Sequence, residues 1–208
     1  MADTVPLEPR HVVEAAHVAQ QTLRPAADRD WQVKAAALDW DCRTTLDHMV
    51  GAPLFHGTNL AMRSTKRIPN VRAANPAASV ADLIDGIECS ATILEQLALA
   101  APPGTRAFHP SGMADPQGFI ALSCNELLLH THDIASGLGL SFEPPAELAE
   151  LVLRRLFPWA PKEAPPWAAL LWVSDRGSLP GREPVGAGWM GHPAPLSEWD
   201  GTIPRRPA

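Results

Sequence analysis

Apolar residues recur at helical spacing along most of the chain, and capping and turn residues cut the pattern into successive segments. Residues 7–24, carrying Val12, Val13, Ala15, Ala16 and Val18, predict a helix that ends before Pro25. Residues 28–38 predict a short helix or a turn. Asp41 is a good N-cap for a second long helix over roughly 42–66, and Pro53 inside it removes one backbone hydrogen bond and predicts a bend. Ser79-Val80-Ala81-Asp82 has the form of a capping box with Asp in place of Glu, opening a third helix to about Leu99 that Pro102-Pro103-Gly104 stops. Asp115-Pro116 supplies an N-cap followed by Pro at the first helical position, so a fourth helix runs to about Ser136, where Gly137 and Gly139 end it. Pro144-Pro145 opens a fifth helix ending near Phe157-Pro158. No alternating strand longer than a few residues interrupts this series, and the expected class is all-α.

The texture changes after about residue 158. Of the 22 prolines, 12 lie from Pro144 onward, and five of the seven tryptophans lie from Trp159 onward. Trp167, Trp172, Trp189 and Trp199 are separated by Gly/Pro turns, and disordered segments are poor in such rings. Residues 1–157 are therefore expected to form the helical unit, and residues 158–208 an extension that packs on it with one short hairpin.

The bulk properties narrow the class further. A length of 208 residues, 46% hydrophobic and 19% charged, fits a folded domain with a substantial core. The formal net charge of −6, with no basic cluster longer than Arg-Arg, argues against nucleic acid as a partner. No apolar run reaches the roughly 18 residues needed to span a bilayer, and the N-terminus lacks the layout of a secretory signal, so the expectation is a cytoplasmic protein. Cys42, Cys89 and Cys124 are odd in number and far apart, which predicts buried thiols rather than disulfides.

The chemistry concentrates in Asn125-Glu126-Leu127-Leu128-Leu129-His130-Thr131-His132-Asp133. Glu126 and His130 are four residues apart, hence one helical turn apart on the same side, with Cβ atoms roughly 5–6 Å apart. Projected at 100° per residue, Phe119, Leu122, Leu129, His130 and Asp133 fall on the Glu126 side, while Ala121, Leu128 and His132 point away. A carboxylate on an apolar face requires a partner or a cation. Two readings meet that need: a buried Glu126–His130 hydrogen bond that fixes packing, or a metal site. His48, on the second predicted helix, completes a set of two His and one carboxylate on two helices, the way helical bundles build metal sites.

These residues also carry a family resemblance. The run from Leu38 through Trp40 and Asp41 to Leu46-Asp47-His48 resembles the W-(T/S)-x-x-D-L-x-x-H opening of the DinB-like metalloprotein superfamily, and within it the N-terminal domain of mycothiol-dependent maleylpyruvate isomerase. Glu126-Leu127-Leu128-Leu129-His130-Thr131-His132-Asp133-Ile134-Ala135 is similar to that family's second signature, E-x-x-x-H-x-x-D-(L/I)-A. The likeness covers about residues 7–157. It implies a DinB-like four-helix bundle, here with an extra helix, and a divalent metal, usually zinc, held by His48, Glu126 and His130. It also implies that Asp133 holds a ligand or an adjacent helix, and that a low-molecular-weight thiol such as mycothiol joins or assists a small electrophilic substrate. The family enzyme carries a C-terminal α/β domain where this chain has its Trp- and Pro-rich extension, which points away from maleylpyruvate itself.

A three-ligand zinc with an open position can favour a thiolate, lower the pKa of bound water, or polarise a carbonyl. Thiol-dependent transfer or isomerisation is the first expectation. A metal-dependent hydrolase or lyase without a thiol, and a non-catalytic metal-binding bundle, remain the alternatives. Of the other histidines, His56 lies two turns after His48 and can line a cavity, and His192 covers a pocket mouth if the extension folds back. His132 faces away, and His11, His17 and His109 carry no assigned role. Arg154-Arg155 complement the fifth helix's dipole. An exposed bundle face would suit a homodimer.

Overall fold

The computed structural model describes residues 6–186 and 188–206. Six α-helices dominate them: α1 (His11–Leu23), α2 (Cys42–Met62), α3 (Val80–Ala100), α4 (Pro116–Gly137), α5 (Ala146–Leu156) and α6 (Pro166–Val173). Among the described residues the class is all-α, with one antiparallel hairpin, β1 (Ala107–His109) and β2 (Gly112–Ala114), and Pro110-Ser111 at its tip. No described helix is long and apolar enough to cross a membrane.

The helix starts follow from their caps. The Asp41 carboxylate accepts from the Thr44 N–H, Ser79 and Asp82 form the reciprocal capping box, and the Asp115 carboxylate accepts from the Gly118 N–H. Pro53 sits inside α2 without ending it, and α2 stops at Met62 because Arg63 turns left-handed (φ 46°). Residues 28–41 form turns rather than a helix; their carbonyls at Trp31 and Val33 accept from the first N–H groups of α2, at Arg43 and Cys42.

α1 packs against α3 and α4, and α2 packs against the same two, so the four long helices close round one core. Its centre holds Leu46, Met49, Ile84, Ile87, Leu94, Phe119 and Leu127, all fully buried. The other flank of α4 is covered by α5, which carries α6 in turn. α4 therefore has almost no solvent face, and 16 of its 22 residues are buried. This explains its near-continuous apolar sequence.

Three features differ from the sequence expectation. The hairpin lies between α3 and α4, not in the extension, because strands of three residues are too short to show a period-2 pattern. The extension instead contributes α6, whose eight residues are apolar all round and lie among prolines, leaving no periodicity to read. Cys42 and Cys124 are buried, but Cys89 is exposed, on the side of α3 opposite Ile84 and Ile87. Burial pushes the Cys42 thiol up to about 11 and the Cys124 thiol up as well, so both are poor nucleophiles.

The return of the chain after α6 is anchored by Arg155, which is only 4% exposed and does far more than complement a helix dipole. Its guanidinium pairs with the Asp115 cap of α4 and donates to the carbonyls of His192 and Pro193. The Pro193 carbonyl lies so close over Gly118 that no Cβ fits there. Removing Arg155 leaves the partly buried Asp115 carboxylate without its cation and two carbonyls without a donor, so Arg155→Ala is expected to lose about 3 kcal/mol of unfolding free energy, measured by urea denaturation. A loss under about 0.5 kcal/mol, the level of an ordinary surface substitution, would show that the anchor carries no strain of the fold.

Candidate metal centre

Three of the residues singled out by the sequence meet where α2 crosses α4. His48 stands in the second turn of α2, fixed by the Asp41 cap, and Glu126 and His130 stand one turn apart near the middle of α4. Glu126 Oε2 lies 3.0 Å from His48 Nε2 and 3.1 Å from His130 Nε2. One donor atom from each residue lies within 4.8 Å of the others, close enough to share one ion.

The surroundings of His130 fit a metal ligand. Its Nδ1 lies 3.0 Å from the Asp133 carboxylate, which Arg176 grips through Nε and Nη2 at 2.8–3.2 Å. A carboxylate behind the far nitrogen fixes the ring and directs Nε2 towards Glu126, the orientation typical of metal-bound imidazoles. Two imidazole nitrogens and one carboxylate oxygen form a donor set that suits zinc with a position to spare.

The same side chains also satisfy one another without an ion. Burial opposes charge on His130, but hydrogen bonds to Asp133 and Glu126 outweigh it and raise its pKa to about 9. Burial would push the Glu126 and Asp133 carboxyls up, yet the imidazoles beside Glu126, and His130 with Arg176 beside Asp133, hold both below the usual carboxylate range. A purely structural bridge would gain most from full enclosure. Glu126 instead keeps about a third of its side-chain surface open (33%) and borders three cavities.

The largest of these, about 440 Å³, runs along α2. The loop between α2 and α3 walls it, because Arg72 clamps the Asp47 carboxylate with two hydrogen bonds of 2.6 and 3.1 Å. Arg67, from the same loop, lies 5.5 Å over the Phe55 ring. Trp40 stands beside His48, with ring centroids 5.2 Å apart, and borders both this cavity and a shallower one lined by His48, Glu126 and His130.

His56 lines the large cavity with its Nδ1 2.6 Å from Ser123 Oγ, and Ser123 is fully buried, out of reach as a nucleophile. His109 packs beside it at 5.3 Å because the hairpin is tied to the end of α2 by the Phe108 N–H to the Ser64 carbonyl. Burial lowers the pKa of His56 to about 3 and of His109 to about 4, so both rings stay neutral. The Ser111 N–H donates to His109 Nδ1, which leaves the ring proton on Nε2 as a donor.

His192 is not brought to this centre. Its N–H bonds the Leu156 carbonyl and its Nε2 pairs with the Pro195 carbonyl, so it fastens the returning chain beside α4's N-terminus. His132 packs against Trp167, and His17 pairs with Glu88, both elsewhere. Arg176, Arg72 and His109 carried no signal in the sequence: each lies in a loop or hairpin and meets its partner only through the fold. The chain matches no protein-family model, no curated protein and no solved structure.

In the ion-free protein at neutral pH His130 carries a proton that a metal must displace. Zinc affinity is therefore expected to rise about tenfold per pH unit between about 6.5 and 9, with one proton released per ion bound at neutral pH. Competition against a chromophoric chelator across this range measures it. A flat profile would mean that His130 is not a ligand.

Proposed function

We propose that this chain is a zinc-dependent enzyme with a DinB-like four-helix bundle, using a low-molecular-weight thiol of the mycothiol type to act on a small electrophile. The observation that carries the reading is the convergence of His48, Glu126 and His130, from two helices, on one spot that borders cavities. The closure of α1–α4 round one core supports the bundle assignment.

In this reading His48, Glu126 and His130 hold the ion, and one carboxylate with two neutral imidazoles leaves net positive charge on a divalent centre. When bound, zinc supplies the positive charge that lets a thiol lose its proton near neutral pH. The protein's own groups do the rest. Asp133 and Arg176 keep the His130 ring from turning, and Trp40 shields His48 on one side. The large cavity holds the electrophile beside the sulfur, and the His109 Nε2–H offers a neutral donor to an oxygen that gains charge as the new bond to sulfur forms. Arg67 places positive charge on the cavity wall, while the Asp47 charge is already met by Arg72.

Metal analysis of the purified protein tests the centre. Wild type is expected to carry about one zinc per chain, and Glu126→Ala and His48→Ala are each expected to lose it. Full occupancy in either variant removes the ligand assignment. The thiol is tested with chlorodinitrobenzene, in the presence and absence of mycothiol or glutathione. Thiol-dependent product formation in the wild type, abolished in both variants, is the expected result. A rate indifferent to the thiol would instead favour metal-dependent chemistry without one.

A further inference from the structure

The buried contact between His56 of α2 and Ser123 of α4 fixes where the His56 ring carries its proton. Ser123 is fully buried, and among the described residues its Oγ meets one partner, His56 Nδ1 at 2.6 Å. If the imidazole donated here, the serine hydroxyl hydrogen would be enclosed without an acceptor, an expensive arrangement. Ser123 therefore donates, His56 Nδ1 accepts, and the ring proton sits on Nε2. The hairpin does the same for His109, whose Nδ1 accepts from the Ser111 N–H. Two neighbouring imidazoles, with centroids 5.3 Å apart, thus both present an Nε2–H.

Neither Nε2–H has an acceptor among the described residues. The unpaired side-chain atoms that are fully enclosed belong to Asn59, Asn125 and Trp159, so the two Nε2 groups keep open surface. Both rings line the large cavity. Glu126 lines it too, but its hydrogen bonds go to His48 and His130. Two donors on one space call for a shared acceptor. An oxygen that takes two N–H bonds of about 2.9 Å spans donors up to roughly 6 Å apart, and a carbonyl oxygen has two lone pairs to offer.

We propose that His56 and His109 form a two-donor site for a carbonyl oxygen, and that the electrophile taken by this protein is a carbonyl compound. The identity of the electrophile rests on the metal-centred reading above, whereas the donor pair does not. Burial keeps both rings neutral, so they offer dipoles without net charge, which suits a polarised but uncharged oxygen. An anionic group would be drawn instead to Arg67, the guanidinium of this cavity with no carboxylate partner among the described residues. A cationic amine has no lone pair for either donor. Ser123 touches no ligand; it is a positioning residue that acts through the His56 tautomer.

The test uses the full chain, stripped of metal by a chelator and carrying isotope-labelled histidine, so a failure of the zinc reading leaves it unaffected. NMR is expected to show both rings as Nε2–H tautomers. Acetophenone is then titrated against α-methylstyrene, which has the same shape with a methylene in place of the carbonyl oxygen. Acetophenone is expected to move both Nε2–H proton signals downfield, and α-methylstyrene to move neither that way. His109→Leu should weaken acetophenone binding roughly fivefold and leave α-methylstyrene binding within about twofold of wild type. Ser123→Ala should shift part of the His56 population to the Nδ1–H tautomer and leave that of His109 unchanged, which loss of packing alone would not do. A wild-type His56 protonated on Nδ1, Nε2–H signals that ignore acetophenone, or an equal response to the two compounds overturns the proposal. If Ser123→Ala does not fold, the wild-type titration and His109→Leu decide it.

Discussion

Glu126 is a carboxylate placed near the middle of a helix that is covered on almost every side, and its charge must be met where it stands. Two imidazoles meet it, one from the next turn of α4 and one from α2 across the helix contact. That requirement fixes more than the pair distances. It sets the rotation of α2 against α4, because His48 reaches Glu126 only if the Asp41 end of α2 lies beside the middle of α4. It also calls on Asp133 and Arg176 to hold His130, which reaches as far as the segment after α6. The most polar spot on α4 is thus tied to side chains 43 and 78 positions away from their partners in sequence.

The C-terminal segment is held by charge as much as by apolar packing. Arg155 joins the Asp115 cap of α4 to the carbonyls of residues 192 and 193, and Arg176 joins the segment to Asp133. Both arginines grip carboxylates of α4, one at its start and one beyond its middle. Both lie where solvent is scarce, so an unmet charge would cost more than it would at the surface. Trp159, Trp172 and Trp189 then pack on α5 and α6 rather than into the four-helix core, Trp189 against Phe157 and Trp172 against Trp159. The aromatic density of the extension covers α5 and walls a cavity.

The hairpin has an outsized part in shaping the centre's surroundings for its length. One backbone bond from Phe108 to the end of α2 sets His109 against His56, and its tip borders two of the three spaces that meet at Glu126. On one side lie Arg67, Arg72, Asn70 and His56; on the other lie Leu122, Phe157, Trp189 and Met190 with Ser111, Asn125 and Arg206.

The caps Asp41, Ser79-Asp82 and Asp115, the helical periods and the Glu126–His130 pair were legible in the sequence, because each is a relation between residues within one or two turns. His48 was legible as a candidate ligand from its residue type and from the family resemblance, not from its distance to Glu126. Its meeting with Glu126 spans 78 positions, that of Asp133 with Arg176 spans 43, and that of His56 with Ser123 spans 67. No local pattern encodes such distances. For the same reason the roles of Arg155, Arg176 and His109, the exposure of Cys89 and the place of the hairpin emerged only from the packed structure. His192, expected at a pocket mouth, is held instead at the end of α5, its N–H on the Leu156 carbonyl and its Nε2 on the Pro195 carbonyl, bonds that the sequence does not display. Local chemistry determined the helices and the carboxylate–imidazole pair; tertiary packing decided which groups face that pair, since burial and long-range charge pairing exist only once the helices are assembled.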